Sequence, residues 1–154
     1  MHNLSSLLID IFHCAFAIHF YCFYFALCYN LDIMNKVFFT SDHHFYHANV
    51  IKYSNRPFAN VDEMNETMIT NINAVVGEHD TLYILGDFAF AKDVHQVIYL
   101  RSRIKCRNVH WIKGNHDKYA FNELVKQHFT SIRDYLEIEV QGQKIVLFHF
   151  PILE

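Results

Sequence analysis

Several absences narrow the reading of this 154-residue chain. No block of lysine and arginine occurs: 13 basic residues stand against 16 acidic ones, for a net charge of −3 with histidine neutral, so the electrostatic footprint of a nucleic-acid binder is missing. No CxxC pair occurs among Cys14, Cys22, Cys28 and Cys106, which leaves no support for a zinc ribbon or a thioredoxin-type redox motif. Only Cys106 lies beyond the first stretch of the chain, as expected of a protein in a reducing, cytoplasmic compartment rather than a disulfide scaffold. No internal repeat, low-complexity tract or Pro/Gly/Ser linker divides the sequence. Its length suits one domain, and a chain of that size buries roughly 70% of its unfolded surface, enough for a core.

What is abundant is histidine, at 12 residues. The stretch "FTSDHHFYHANV" (Phe39 to Val50) places Asp42, His43, His44 and His47 directly after an apolar run. Carboxylate and imidazole are both good ligands for a catalytic metal ion. Near a strand, side chains alternate between faces, so Asp42 and His44 share one side and His43 is turned away as a bystander.

Residues 1–33 form an apolar extension unlike the rest, with "LLIDIFHCAFAIHFYCFYFALCYNL" at its centre. It admits three readings. Its length suits a membrane-spanning helix, but Asp10, His13 and His19 interrupt it and no basic residue or cleavage site marks a signal peptide. Phe, Tyr, Ile, Asn, His and Cys are also what AT-rich DNA encodes without selection, so Met34 would then be the initiator. The third reading is a helix docked on the domain. Membrane anchoring follows from the first reading alone. A native peptide containing Phe12 to Tyr29 would refute the second.

From Met34 onward strand-like and helix-like segments alternate. "KVFFTS" (36–41), "TLYILGD" (81–87) and "NVHWIKG" (108–114) are short, apolar and β-favouring. Asn60 to Val76 carries Met64, Met68, Ile72 and Val75 at helical spacing, opened by Asn60 with Glu63 three residues on, as in a capping box. Residues 93–104 and 118–129 are further helix candidates, and 135–150 reads as a hairpin turning at Gln141-Gly142. This order implies an α/β domain over 34–154 with layered sheets.

The strands end in polar residues: Asp42, then Gly86-Asp87, then "GNHD" (Gly114 to Asp117), then His149. Ligand sites of α/β sheets lie outside the carboxyl ends of the strands. Singly, Asp42 and Asp87 read equally as helix N-caps; four such endings point to one site. Gly86 and Gly114 each precede the polar group, where glycine permits a sharp exit and close backbone approach.

The ordered set D-x-H, G-D, G-N-H-D and a later strand-end histidine resembles the calcineurin-like metallophosphoesterase superfamily, in its small bacterial and phage-type members. The resemblance covers about 36–154. It implies a layered β-sandwich flanked by helices, and a hydrolase acting on a phosphomonoester or phosphodiester through a hydroxide held between two divalent metal ions (manganese, iron or zinc). It implies Asp42 and His44 on one metal, Asp87 bridging both, and Asn115 and His149 on the second. His116 would act beside the phosphoryl group as general acid or charge stabiliser, oriented by Asp117. Arg56 suits a substrate phosphate, but reads equally as a surface arginine before Pro57; His47 lies near enough to touch substrate.

Two departures temper this. The G-H-x-H motif that follows in the family is absent, which implies a domain lacking its C-terminal part, and hence an inactive fragment or non-catalytic metal-binding module as the alternative. "GDFAFAK" (86–92) also departs from the G-D-x-x-D-R-G of the Ser/Thr protein phosphatases, which speaks against that activity. His79, His95, His110 and His128 read as structural.

Overall fold

The computed structural model describes residues 35–151; the apolar extension, Met34 and the readings set out for them lie outside the described residues. Strands β1 (Val37–Thr40), β2 (Thr81–Leu85), β3 (Asn108–Ile112) and β4 (Ser131–Arg133) form one parallel sheet in that order. The alternation expected of strands decides its two faces. Leu82, Ile84, Val109 and Trp111 are buried on one side, against Phe45, Phe88, Val97 and Leu100. The other side carries an aromatic ladder along register partners, with Phe39 stacked on Tyr83 at 5.4 Å and Tyr83 on His110 at 4.7 Å. The His110 ring then hydrogen-bonds Ser131 Oγ at 2.8 Å.

Helix α1 (Ala48–Tyr53) follows the histidine-rich loop and was not apparent in the sequence, being only 6 residues long. Helix α2 (Val61–Val75) starts as expected: the Asn60 side chain accepts the Glu63 N–H at 2.9 Å. The reciprocal carboxylate bond reaches the Ala59 N–H rather than that of Asn60. Met64 and Ile69 are buried and Met68 and Ile72 pack on the core, but Val75 has drifted to 64% exposed. Helix α3 (Val94–Arg103) is capped by Asp93, whose side chain accepts the Gln96 N–H at 3.0 Å. Just past its end the buried Arg101 guanidinium donates to the carbonyls of Ile104, Cys106 and Arg107, giving partners to backbone acceptors of the turn that leads into β3. No helix among the described residues is long and apolar enough to cross a membrane.

The helix expected over 118–129 is a correction. Only α4 (Glu123–Lys126) is helical there. Residues 117–122 instead fold as successive tight turns, with Ala120 N–H on the Asp117 carbonyl and Asn122 N–H on the Tyr119 carbonyl. The Asn122 side chain accepts the Leu124 N–H at 3.0 Å, so a local side-chain bond starts a new helix where the old one was expected to continue. The expected hairpin is β5 (Tyr135–Val140) and β6 (Gln143–Phe148), an antiparallel two-stranded sheet. Its turn residues Gln141 and Gly142 have φ of 51° and 77°, the left-handed pair that suits a two-residue hairpin loop. The described residues thus form a mixed α/β fold, a parallel sheet flanked by helices, with this separate hairpin sheet.

Candidate metal centre

The site stands at the carboxyl ends of β1, β2 and β3. Leaving β1, the chain runs beside the loop after β2: Asp42 N–H donates to the Gly86 carbonyl at 3.0 Å, His44 N–H to Asp87 at 2.9 Å, and Phe45 N–H to Phe88 at 3.0 Å. Asp42, His44 and Asp87 have φ of 55°, 53° and 51°, a left-handed conformation that costs a non-glycine residue energy and collects at functional sites. The separation of His43 from its neighbours therefore has a different origin from strand alternation. Two left-handed residues flank it, and its buried ring stacks on Phe45 at 5.3 Å and meets Phe88 edge-on.

Two glycines allow the approach of the pieces. Gly86 has φ of 86°, and a Cβ there would collide with the His149 ring. A Cβ on Gly114 would collide with the carboxylate and the N–H of Asp87.

Asp87 is buried at the middle of the arrangement. Its Oδ1 accepts the His116 N–H at 3.0 Å and lies 3.6 Å from His149 Nε2. Its Oδ2 lies 3.5 Å from His44 Nε2 and 4.0 Å from His116 Nε2. Ligand atoms of Asp42, His44 and Asp87 all fall within 4.8 Å of one another, a carboxylate–imidazole–carboxylate set that fits a divalent cation. Burial lowers the His44 pKa and the Asp87 charge opposes it; the neutral ring that burial favours is the ligating form.

On the other side, His149 Nδ1 faces the Leu85 carbonyl at 2.9 Å, which holds the proton on Nδ1 and leaves Nε2 a bare lone pair in the neutral ring. That lone pair meets Asn115 Oδ1 at 3.1 Å and Asp87 Oδ1 at 3.6 Å. Three electron-rich atoms turned on one another call for a proton or a cation among them, and imidazole, amide oxygen and carboxylate are donors that suit a divalent ion.

The remaining residues named from the sequence surround this core. The His116 side chain is 38% exposed, beside His44 and His47. His47 stands outside the carboxylate cluster, its Nδ1 3.4 Å from His44 Nδ1 and its ring stacked on Phe90 at 4.5 Å. Asp117 does not reach the His116 ring. Its buried carboxylate accepts from the N–H groups of Asp87, Phe88, Ala89 and Gly114 and from the Trp111 indole.

The sequence profile of the family described as calcineurin-like phosphoesterase matches residues 35–152. The chain belongs to this family. Among its relatives is the uncharacterized protein MJ1445 of Methanocaldococcus jannaschii, 39% identical over 118 residues, which are 77% of this chain and 60% of that one. A solved relative is the protein of unknown function AQ665 from Aquifex aeolicus, 33% identical with a TM-score of 0.62, covering 75% of this chain and 60% of that one. The chain thus spans 60% of the length of each.

In this calcineurin-like phosphoesterase chain Arg56, open in the sequence between a substrate phosphate and a surface position, binds backbone. Its two terminal nitrogens donate to the carbonyls of His43 and Asp42, each at 2.7 Å. The guanidinium thus braces the left-handed loop that presents Asp42 and His44. Arg56→Ala is expected to weaken metal affinity about 10- to 100-fold, the usual cost of losing a group that orients ligands. Calorimetric manganese titration checks this. Unchanged affinity with a raised KM would instead assign Arg56 to substrate.

His43 makes a pH prediction. Its Nε2 bonds Thr40 Oγ1 at 3.0 Å, while Nδ1 is buried without a partner among the described residues. Burial, and secondarily the Arg56 charge, push its pKa down to about 4. A folded pKa below the unfolded value means the unfolded chain takes up the proton first. Stability is therefore complete above the ordinary histidine pKa and falls with pH until about 4. The loss amounts to about 3 kcal/mol. Urea unfolding of the metal-free chain at pH 7 and pH 4.5 should show it, and His43→Phe should flatten that slope.

The sequence reading passed over Phe90, which stacks on His47 and meets the His116 ring edge-to-face at 5.7 Å. The signal was present in "GDFAFAK", where an aromatic residue follows a ligand motif.

Proposed function

We propose that the chain carries the catalytic centre of a metal-dependent phosphoesterase that hydrolyses a phosphomonoester or a phosphodiester. The observation that carries this reading is Asp87, a buried carboxylate with His44 Nε2 against one oxygen and His149 Nε2 against the other. That disposition suits a carboxylate shared by two cations, with Asp42 and His44 on one and Asn115 and His149 on the second. Two divalent ions, when bound, would lower the pKa of water and share the negative charge of the phosphoryl group.

The chain's own residues supply the rest. The Leu85 carbonyl, accepting from Nδ1, holds the His149 ring in the ligating tautomer. The His116 backbone N–H orients Asp87, while its half-exposed ring turns Nε2 toward the same centre. From there Nε2 can pass a proton to the leaving ester oxygen. Manganese, iron and zinc all suit this O/N donor set.

The test is hydrolysis of p-nitrophenyl phosphate and its bis-ester by the manganese-loaded protein, beside a calorimetric metal titration. Metal-dependent turnover of either ester is expected. A single weak metal site with no turnover would favour a non-catalytic metal-binding module.

A further inference from the structure

Beside the candidate centre lies a half-open cleft of about 380 Å³. Its lining surface is mostly apolar and includes Val61 at the start of α2, Phe90 and Ala91. Gln96 also lines it, its amide oxygen taken by the Lys92 N–H at 2.8 Å. The cleft meets the centre at one pair of rings. His47 lines it, stacked on Phe90, and the same His47 lies 3.4 Å from His44 Nδ1 with its ring centroid 6.0 Å from that of His116. Phe90 remains 50% exposed although it touches both His47 and His116.

A large aromatic side chain, half bare, at the junction of a reactive centre and an apolar cleft is a surface for another ring. Offset stacking and burial both reward that partner more than a short alkyl group. The volume lies in the range of small-ligand sites. We propose that this cleft receives the organic part of the phosphoester and selects one that carries an aromatic ring, with Phe90 as the residue that determines the preference. The inference rests on the phosphoesterase reading for where the phosphoryl group sits, and on Phe90, Val61 and His47 for what lies beyond it.

The experiment compares 2-phenylethyl phosphate with ethyl phosphate, whose leaving alcohols are of similar acidity, on the manganese-loaded full chain. The kcat/KM ratio is expected to favour the phenylethyl ester by about tenfold or more. Phe90→Ala, which removes the stacking face, and Val61→Trp, which fills the cleft, are each expected to bring the ratio to within about threefold of one. Calorimetric binding of 2-phenylethylphosphonate against ethylphosphonate reads the same preference without turnover. Turnover of both esters at a ratio near one, unmoved by either substitution, overturns the cleft assignment and leaves the phosphoesterase reading intact. No turnover of either ester, with selective phosphonate binding lost in Phe90→Ala, overturns the phosphoesterase reading and upholds the cleft. Neither turnover nor selective binding overturns both.

Discussion

Replacing Asp87 by asparagine is expected to lower kcat for p-nitrophenyl phosphate by about a thousandfold, with a matching loss of bound metal. The substitution is nearly isosteric. An asparagine oxygen still accepts the His116 N–H that Asp87 Oδ1 accepts at 3.0 Å, and an amide NH2 on the other side meets the His44 Nε2 now 3.5 Å from Oδ2. The metal-free fold should therefore survive, as circular dichroism and thermal unfolding would show. What disappears is the negative charge between His44 and His149. Without it, two cations placed close together repel one another with no anion between them. Wild-type metal content and turnover in the folded variant would refute the bridging role.

The second large effect is on stability. Asp117→Ala is expected to cost about 4 kcal/mol or more, a large part of the 5–15 kcal/mol that holds a typical domain together. Asp117 Oδ2 accepts from Asp87 N–H at 2.8 Å, Gly114 N–H at 2.8 Å and Trp111 Nε1 at 3.0 Å. Oδ1 accepts from Phe88 N–H at 2.8 Å and, more weakly, from Ala89 N–H at 3.4 Å. Burial pushes the carboxyl pKa up, and the bonds from Gly114, Trp111 and Ala89 pull against it. Alanine would leave those buried donors without acceptors, at about 1–3 kcal/mol each. Asp117→Asn should be intermediate, because its NH2 must face donors on one side. Urea unfolding followed by the fluorescence of Trp111, the single tryptophan, reads both variants. A variant with alanine as stable as the parent would show that water or a rearranged loop replaces the carboxylate.

The two predictions separate what two neighbouring motifs do. In "GNHD" the sequence reading assigned His116 to chemistry and Asp117 to the orientation of its ring. The carboxylate is instead the tie between the loop after β2 and the loop after β3, and so positions Asp87 rather than His116. Arg56 has a parallel history. Its charge suited a substrate phosphate and a plain surface position alike, and its donors hold the Asp42 and His43 carbonyls. In both cases the side chain's chemistry was legible and its partner was not, because the partners are backbone groups and every residue carries them.

Secondary structure divides in the same way. Strands β1 to β3, helices α2 and α3 and the hairpin could be read from apolar periodicity, the Asn60 cap and the Gln141-Gly142 turn. Helix α1, the three-residue β4 and the broken 118–129 segment could not. A segment that short has too few residues for periodicity to register, and Asn122 forms a local side-chain bond that an apolar pattern does not reveal.

The sequence by itself determined which donor types the centre has, in what order they come, and that each follows a strand; these suffice for the family. Only the tertiary structure decided which way they face. Asp42 and His44 turn to the centre because two left-handed residues are pinned by hydrogen bonds to Gly86 and Asp87, more than forty residues away in the chain. Donor chemistry belongs to the side chain alone, whereas orientation depends on backbone partners that meet only when parallel strands align.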